Sequence, residues 1–190
     1  MKKTFALFVF IISVMHRINA AENQENYSIN FLLPIDWSTK NHIDLSVTIP
    51  KGYRSMEPNS TWDKAELIEF IPINEEPSKW SEIITIHRLE EKNISSEKIT
   101  DLFLQKISEI IKTDVIFNEI SNDDYQTSYF MIKYAQNGKK EIMGAKYVSG
   151  PVDCEGVQYT IRLKPKQSEQ EAIVKIEKFF DQNLNVLKGQ

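Results

Sequence analysis

YQTSYFMIKYAQNGKKEIMGAKYVS, residues 125–149, is the stretch on which the fold turns. At its centre stands Asn137-Gly138, the dipeptide preferred at the tip of a two-residue type I′ hairpin, because both central residues of that turn need positive φ. A register follows from this turn. Pairing Gln136 with Lys139 sets Tyr134 opposite Glu141, Ile132 opposite Met143, Phe130 opposite Ala145 and Ser128 opposite Tyr147. Because side chains alternate with period two, Phe130, Ile132, Tyr134, Met143, Ala145 and Tyr147 then share one apolar face. The opposite face is mixed. Thr127, Lys133, Lys140 and Lys146 lie there beside Tyr129, Met131 and Val148, which suits a partly covered face or a shallow binding surface.

Outward from the hairpin, residues 156–164 alternate Val157, Tyr159, Ile161 and Leu163 with Gln158, Thr160, Arg162 and Lys164, the pattern of a half-buried strand. Ser168 with Glu171 then forms a capping box, and Ala172, Ile173, Ile176, Phe179, Phe180, Leu184 and Leu187 supply the apolar side of a terminal helix. On the N-terminal side, Ile99, Leu102, Phe103, Ile107, Ile110 and Ile111 carry helical spacing over 96–112, with Ser95 as N-cap. Glu97, Asp101, Gln105 and Glu109 form its solvated stripe. Strands are expected over 27–35, 43–49, 66–71 and 82–89, with a long loop over 50–63. An Asn and Asp turn is expected at 122–124. Several strands, a helix, four strands and a helix describe an α+β domain: an antiparallel sheet of about six to eight strands with two main amphipathic helices packed on it.

The order of the helix over 96–112, the aromatic hairpin, the strand Gly156-Val157-Gln158-Tyr159-Thr160-Ile161 and a closing helix ending in Phe179-Phe180 resembles the PsbP-like and DcrB-like group of secreted or envelope domains over residues 80–187. That resemblance implies an antiparallel sheet between helices and an accessory or binding role, with no shared catalytic residues.

The leader supplies the compartment. Lys2 and Lys3 precede an apolar run over 5–15, and Ala20 and Ala21 offer small residues for cleavage, so residues 1–20 read as a signal peptide and 21–190 as a single domain. The run would span roughly 16 Å as a helix, against a hydrocarbon core of roughly 30 Å, so no stable membrane span is expected after cleavage. The whole chain has 23 Lys and Arg against 27 Asp and Glu; removal of Lys2, Lys3 and Arg17 leaves 20 against 27, a balance of −7. An acidic domain without an evident Lys or Arg cluster argues against nucleic acid as a partner. Secretion or a periplasmic location is expected. Sequons at Asn26, Asn59 and Asn93 matter only in a glycosylating source.

Catalytic signatures are sparse. After the leader only His42 and His87 remain, and Cys154 is the single thiol, so no metal site or cofactor is expected. Cys154 with a histidine is the one nucleophile and base pair for a secreted hydrolase, but Asp153 and Glu155 beside the sulfur oppose thiolate formation. The first expectation is therefore an exported, non-enzymatic binding or accessory protein with a protein or carbohydrate partner. Trp37, Trp62 and Trp80 are either packed or presented. The contact surface is expected at Tyr53, Arg54, Met56 and Trp62, which concentrate large groups in the long loop, with Tyr53 and Trp62 as flat platforms and Arg54 as a fork.

Overall fold

A computed structural model describes residues 27–30, 43–56, 65–89, 94–121, 126–149 and 154–188. The expected leader, Trp37, His42, Trp62, the three sequon asparagines and the 122–124 turn lie outside them. The described elements are β1 (Tyr27–Asn30), β2 (Ile43–Ile49), β3 (Tyr53–Met56), β4 (Ala65–Pro72), β5 (Glu82–Leu89), α1 (Ser96–Ile110), β6 (Thr113–Ser121), β7 (Gln126–Gln136), β8 (Lys139–Ser149), β9 (Cys154–Arg162), α2 (Glu169–Asn183) and β10 (Leu184–Lys188).

The hairpin of β7 and β8 has the expected register, with Gln136 opposite Lys139 and Phe130 opposite Ala145. Asn137 and Gly138 take φ of 51° and 74°, as a type I′ turn requires. The hairpin belongs to a seven-stranded antiparallel sheet in the order β3-β4-β5-β9-β8-β7-β6. After β5 the chain must reach the far edge at β6, and α1 makes that crossing over one face. Its Ile99 and Ile107 bury against Phe130, Ile132, Met143, Ala145, Tyr147 and Cys154. A polar seam fixes the contact: Ser128 Oγ donates to the Ser96 carbonyl at 3.1 Å, which leaves the Thr100 hydroxyl to donate to Ser128 Oγ at 2.6 Å. Glu97, Asp101, Gln105 and Glu109 face solvent, as expected.

Most of the second face is covered, and toward β6 Thr127, Tyr129 and Lys146 line a shallow pocket of about 430 Å³ with Glu119, Ile120 and Ser121. Ala172, Ile176, Phe179 and Phe180 of α2, with Leu45, Val47 and Ile49 of β2, pack on Phe70, Ile84, Ile86, Met131, Ile142, Val157, Tyr159 and Ile161. Gly144 of β8 lets α2 approach: a Cβ there would collide with Ile176 Cγ2 and stand 3.0 Å from Phe180 Cε2. β2 itself lies in a separate three-stranded sheet, β1-β2-β10.

Three local expectations are corrected. Leu184 and Leu187 do not extend the terminal helix; α2 stops at Asn183, whose side-chain Nδ2 donates to the Phe179 carbonyl at 3.1 Å, and the chain turns extended to pair with β2 as β10. The region expected as a loop contains the edge strand β3, paired with β4 from Tyr53 opposite Pro72 to Met56 opposite Glu69. Finally, β9 is not half-buried but lies between β5 and β8, covered on both faces.

Candidate anion-binding cleft

At the end of the main sheet that carries the Asn137-Gly138 turn, three connections meet. The Arg162 amide donates to the Ser81 carbonyl at 2.8 Å, and the Leu163 amide donates to the Lys140 carbonyl at 2.8 Å. These bonds join the β4–β5 connection, the hairpin tip and the β9–α2 connection around an open cleft of about 760 Å³. Its lining includes six cations, Lys79, Lys139, Lys140, Arg162, Lys164 and Lys166, and one carboxylate, Glu169.

Arg162 forms the floor. Its Nε donates to Glu141 Oε1 at 2.8 Å, its Nη1 donates to the Trp80 carbonyl at 2.8 Å, and its guanidinium carbon stands 3.7 Å above the Trp80 ring. Glu141 is 2% exposed, so this charge pair is anchored and mutually neutralised. Lysines form the rim. Lys79 pairs with Glu76 at 3.3 Å, and Glu169 is engaged by Lys133 at 3.2 Å. Lys139, Lys140, Lys164 and Lys166 are exposed and make no ion pair among the described residues.

The turn that presents two of these lysines is itself unusual. Gln167 N–H closes it on the Lys164 carbonyl at 3.0 Å, Gln167 Oε1 accepts from the Lys164 amide at 3.1 Å, and Lys166 takes φ of 75°. Proline before a positive-φ residue is the type II pattern, where glycine or asparagine is the ordinary choice. A lysine there costs roughly 1–2 kcal/mol of backbone strain. The neighbouring N-terminus of α2 is already satisfied by the Ser168 and Glu171 capping box and carries Glu169 and Glu171 in its first turn. Any anion in the cleft is therefore held by side chains and not by the helix dipole.

The expected contact residues are divided. Successive residues of β3 point to opposite faces, so Tyr53 parts from Arg54 and Met56. The Tyr53 hydroxyl donates to Glu82 and lies 3.1 Å from the Tyr159 hydroxyl; Tyr159 also donates to Glu82 at 2.5 Å, and Lys175 Nζ reaches the other carboxylate oxygen at 2.5 Å. Burial pushes the Glu82 carboxyl up, but the hydrogen bonds from Lys175, Tyr159 and Tyr53 outweigh it and hold the group below its usual range. Burial, reinforced by that carboxylate, drives both phenols up. Arg54 Nη2 donates to the Glu75 carbonyl at 2.8 Å, and Met56 packs with Ile71, Trp80 and Ile83.

His87 and Cys154 share one face of the sheet on a diagonal, since His87 pairs with Gly156 and Leu89 with Cys154. Both are core. His87 is 2% exposed, its ring 5.0 Å from that of Tyr147, and burial pushes its imidazole down to about 3. So weak a base takes little proton from a thiol near neutrality. Among the described residues, no three His, Cys, Asp or Glu side chains gather as a metal site. No described helix is long and apolar enough to cross a membrane.

The cleft corrects the reading that the domain has no basic cluster. Its sequence trace is Lys139-Lys140 beside the turn and Lys164-Pro165-Lys166 beyond the neighbouring strand, brought together because Glu141 pairs with Arg162.

No protein-family model matches the chain, and no curated protein matches it in sequence. Among solved structures, the chain resembles LpqN, described as involved in cell envelope biogenesis of Mycobacterium tuberculosis, at 11% identity and a TM-score of 0.53, over 87% of this chain and 92% of that one. A protein from Bacteroides thetaiotaomicron VPI-5482 aligns at 12% identity and a TM-score of 0.42, over 76% of this chain and 45% of that one. The LpqN likeness is one of fold: an α+β domain built on an antiparallel sheet.

Proposed function

We propose that this chain is an exported, non-enzymatic binding or accessory protein of the cell envelope, and that its ligand is anionic and docks in the cleft at the hairpin end of the sheet. The observation that carries the reading is the gathering, around one open space, of four lysines that make no ion pair among the described residues, on a domain whose acids outnumber its bases. A concave basic surface concentrates anions even where the net charge repels them. The basic-then-apolar leader supports export, and the PsbP-like and DcrB-like pattern, together with the shared fold of an envelope-biogenesis protein, supports the accessory role. In this reading Tyr53, Arg54 and Met56 secure the sheet edge, while Cys154 and His87 are packing residues and not a hydrolase pair.

Two measurements test it. Intact mass of protein recovered outside the cytoplasm should show a product beginning near Ala21; Met1 retained in a membrane fraction would refute export. The exported protein should be retained on a phosphate-bearing matrix, and Lys139→Glu with Lys164→Glu and Lys166→Glu should abolish retention. The same charge change at exposed Lys98, Lys112 and Lys178, outside the cleft lining, should spare most of it. Equal loss in both triple variants would reduce the cleft to net charge alone and overturn the site.

A further inference from the structure

We infer that the ligand is a linear phosphate polymer lying across the cleft, a conclusion that rests on the anion-binding reading above and narrows it. Three features select this class. The first is the kind of cation available. Arg162, whose planar fork would favour a carboxylate, has its Nε and Nη1 committed to Glu141 and the Trp80 carbonyl and its charge paired with Glu141, so the exposed cations of the rim are lysine ammonium groups. These are point charges with rotatable donors, suited to phosphate oxygens from any direction.

The second is their distribution. Lys139 and Lys140 stand on the hairpin and Lys164 and Lys166 on the β9–α2 turn, on the exposed rim of a space far larger than one phosphate. A single ion pair at such a site contributes only about 0–1 kcal/mol. A chain that meets both lysine pairs makes the second contact intramolecular and gains avidity without new chemistry. The strained conformation at Lys166 accords with this, since it holds a second lysine of the turn at the cleft.

The third is the absence of a stacking surface. Trp80 is the one aromatic among the described lining residues; it is 8% exposed and its ring is covered by Arg162. Single-stranded nucleic acids draw much of their affinity from bases stacked on free aromatic faces. A flat anionic bilayer fares worse still, because it would meet the acidic remainder of the domain as well as the rim lysines.

The test is a binding titration of the exported protein with inorganic polyphosphate, orthophosphate, an oligo-dT of similar length, and phosphatidylglycerol vesicles. Polyphosphate should bind at least about 100-fold more tightly than orthophosphate. Lys139→Gln with Lys140→Gln, and separately Lys164→Gln with Lys166→Gln, should each weaken it and lower the slope of log affinity against log salt by about one per lysine. Lys98→Gln with Lys178→Gln should leave both unchanged, and thermal melts of all variants should coincide. Orthophosphate binding as tightly as polyphosphate, or oligo-dT or vesicles binding as tightly, would overturn the polymer while leaving an anion cleft. No binding of any anion, or binding indifferent to the four lysines, would overturn both.

Discussion

Replacing Gly144 by Ala tests how the two layers of the domain meet. The added Cβ would collide with Ile176 Cγ2 and lie 3.0 Å from Phe180 Cε2, where Ile176 is fully buried and Phe180 is 5% exposed. Neither ring nor branch has solvent to move into, so relief requires α2 to shift from β8. Overpacking of this kind costs about 1–3 kcal/mol. For a domain of this size 1 kcal/mol moves the melting temperature by about 2–4 °C, so a fall of about 2–12 °C is expected. Urea unfolding should show a lower midpoint with an unchanged slope. The cause is separable from general damage. Ile176→Leu removes the offending β-branch at nearly constant volume, and combined with Gly144→Ala it should restore part of the loss, a non-additivity expected only of residues in contact. A Gly144→Ala protein as stable as the parent, or strictly additive losses in the pair, would refute this account of the interface.

Phe130→Ala should cost about 3–5 kcal/mol, because the ring is fully buried between Phe103 at 5.5 Å and Tyr147 at 6.1 Å. Gly138→Val, at φ of 74° in otherwise open space, should lower the melting temperature through backbone strain alone, and unchanged melts of both variants would break the hairpin register. Stability should also carry two opposed pH dependences. Burial raises the Glu69 carboxyl to about 7, so the folded state keeps a proton the unfolded chain has released, and stability falls as pH rises from about 4.5 to about 7. His87, held down at about 3, refuses a proton the unfolded chain binds, so stability falls as pH drops below about 6.5. Where the windows overlap the slopes offset. Glu69→Gln should therefore expose a rise of up to about 1.4 kcal/mol per pH unit between about pH 4.5 and 6.5, and should exceed the parent in stability above pH 7; urea melts across this range check both signs.

What could be read from the sequence was local. The Asn-Gly turn and period-two alternation specify the hairpin and its register within twenty-five residues, and Ser95 with the 96–112 spacing specifies α1 in the same way. What could not be read depends on distant pairing. Leu184 and Leu187 keep helical spacing, and only the match of Leu184 to Val47 makes them a strand. Gly52 and Pro58 outweigh four strand-like residues at Tyr53–Met56 until β4 pairs with them. On β9 the polar positions imitated a solvated face, yet Gln158 donates to the Tyr147 hydroxyl at 2.9 Å and Arg162 pairs with Glu141, so partners within the sheet replace water. The cleft was hidden for the same reason: no short window holds its lysines together.

The fold and the site are joined at Glu141 and Arg162. These residues are paired across β8 and β9, immediately behind the hairpin turn, and Arg162 reaches on to Trp80, which packs with Met56, Ile71 and Ile83. The guanidinium thereby ties the hairpin to the β5 side of the sheet. Its charge is consumed by a carboxylate that is itself buried, so the floor contributes geometry and little free potential. The usable charge sits one layer out, on lysines whose long stems adapt to a ligand while their backbone is held by the turn at Lys164–Gln167 and the bond from Leu163 to Lys140. A rigid neutral floor beneath an adaptable cationic rim favours a ligand recognised by the spacing of its charges over one recognised by shape. That division places affinity in the rim lysines and stability in the Glu141 and Arg162 pair, so the two can be altered independently by substitution.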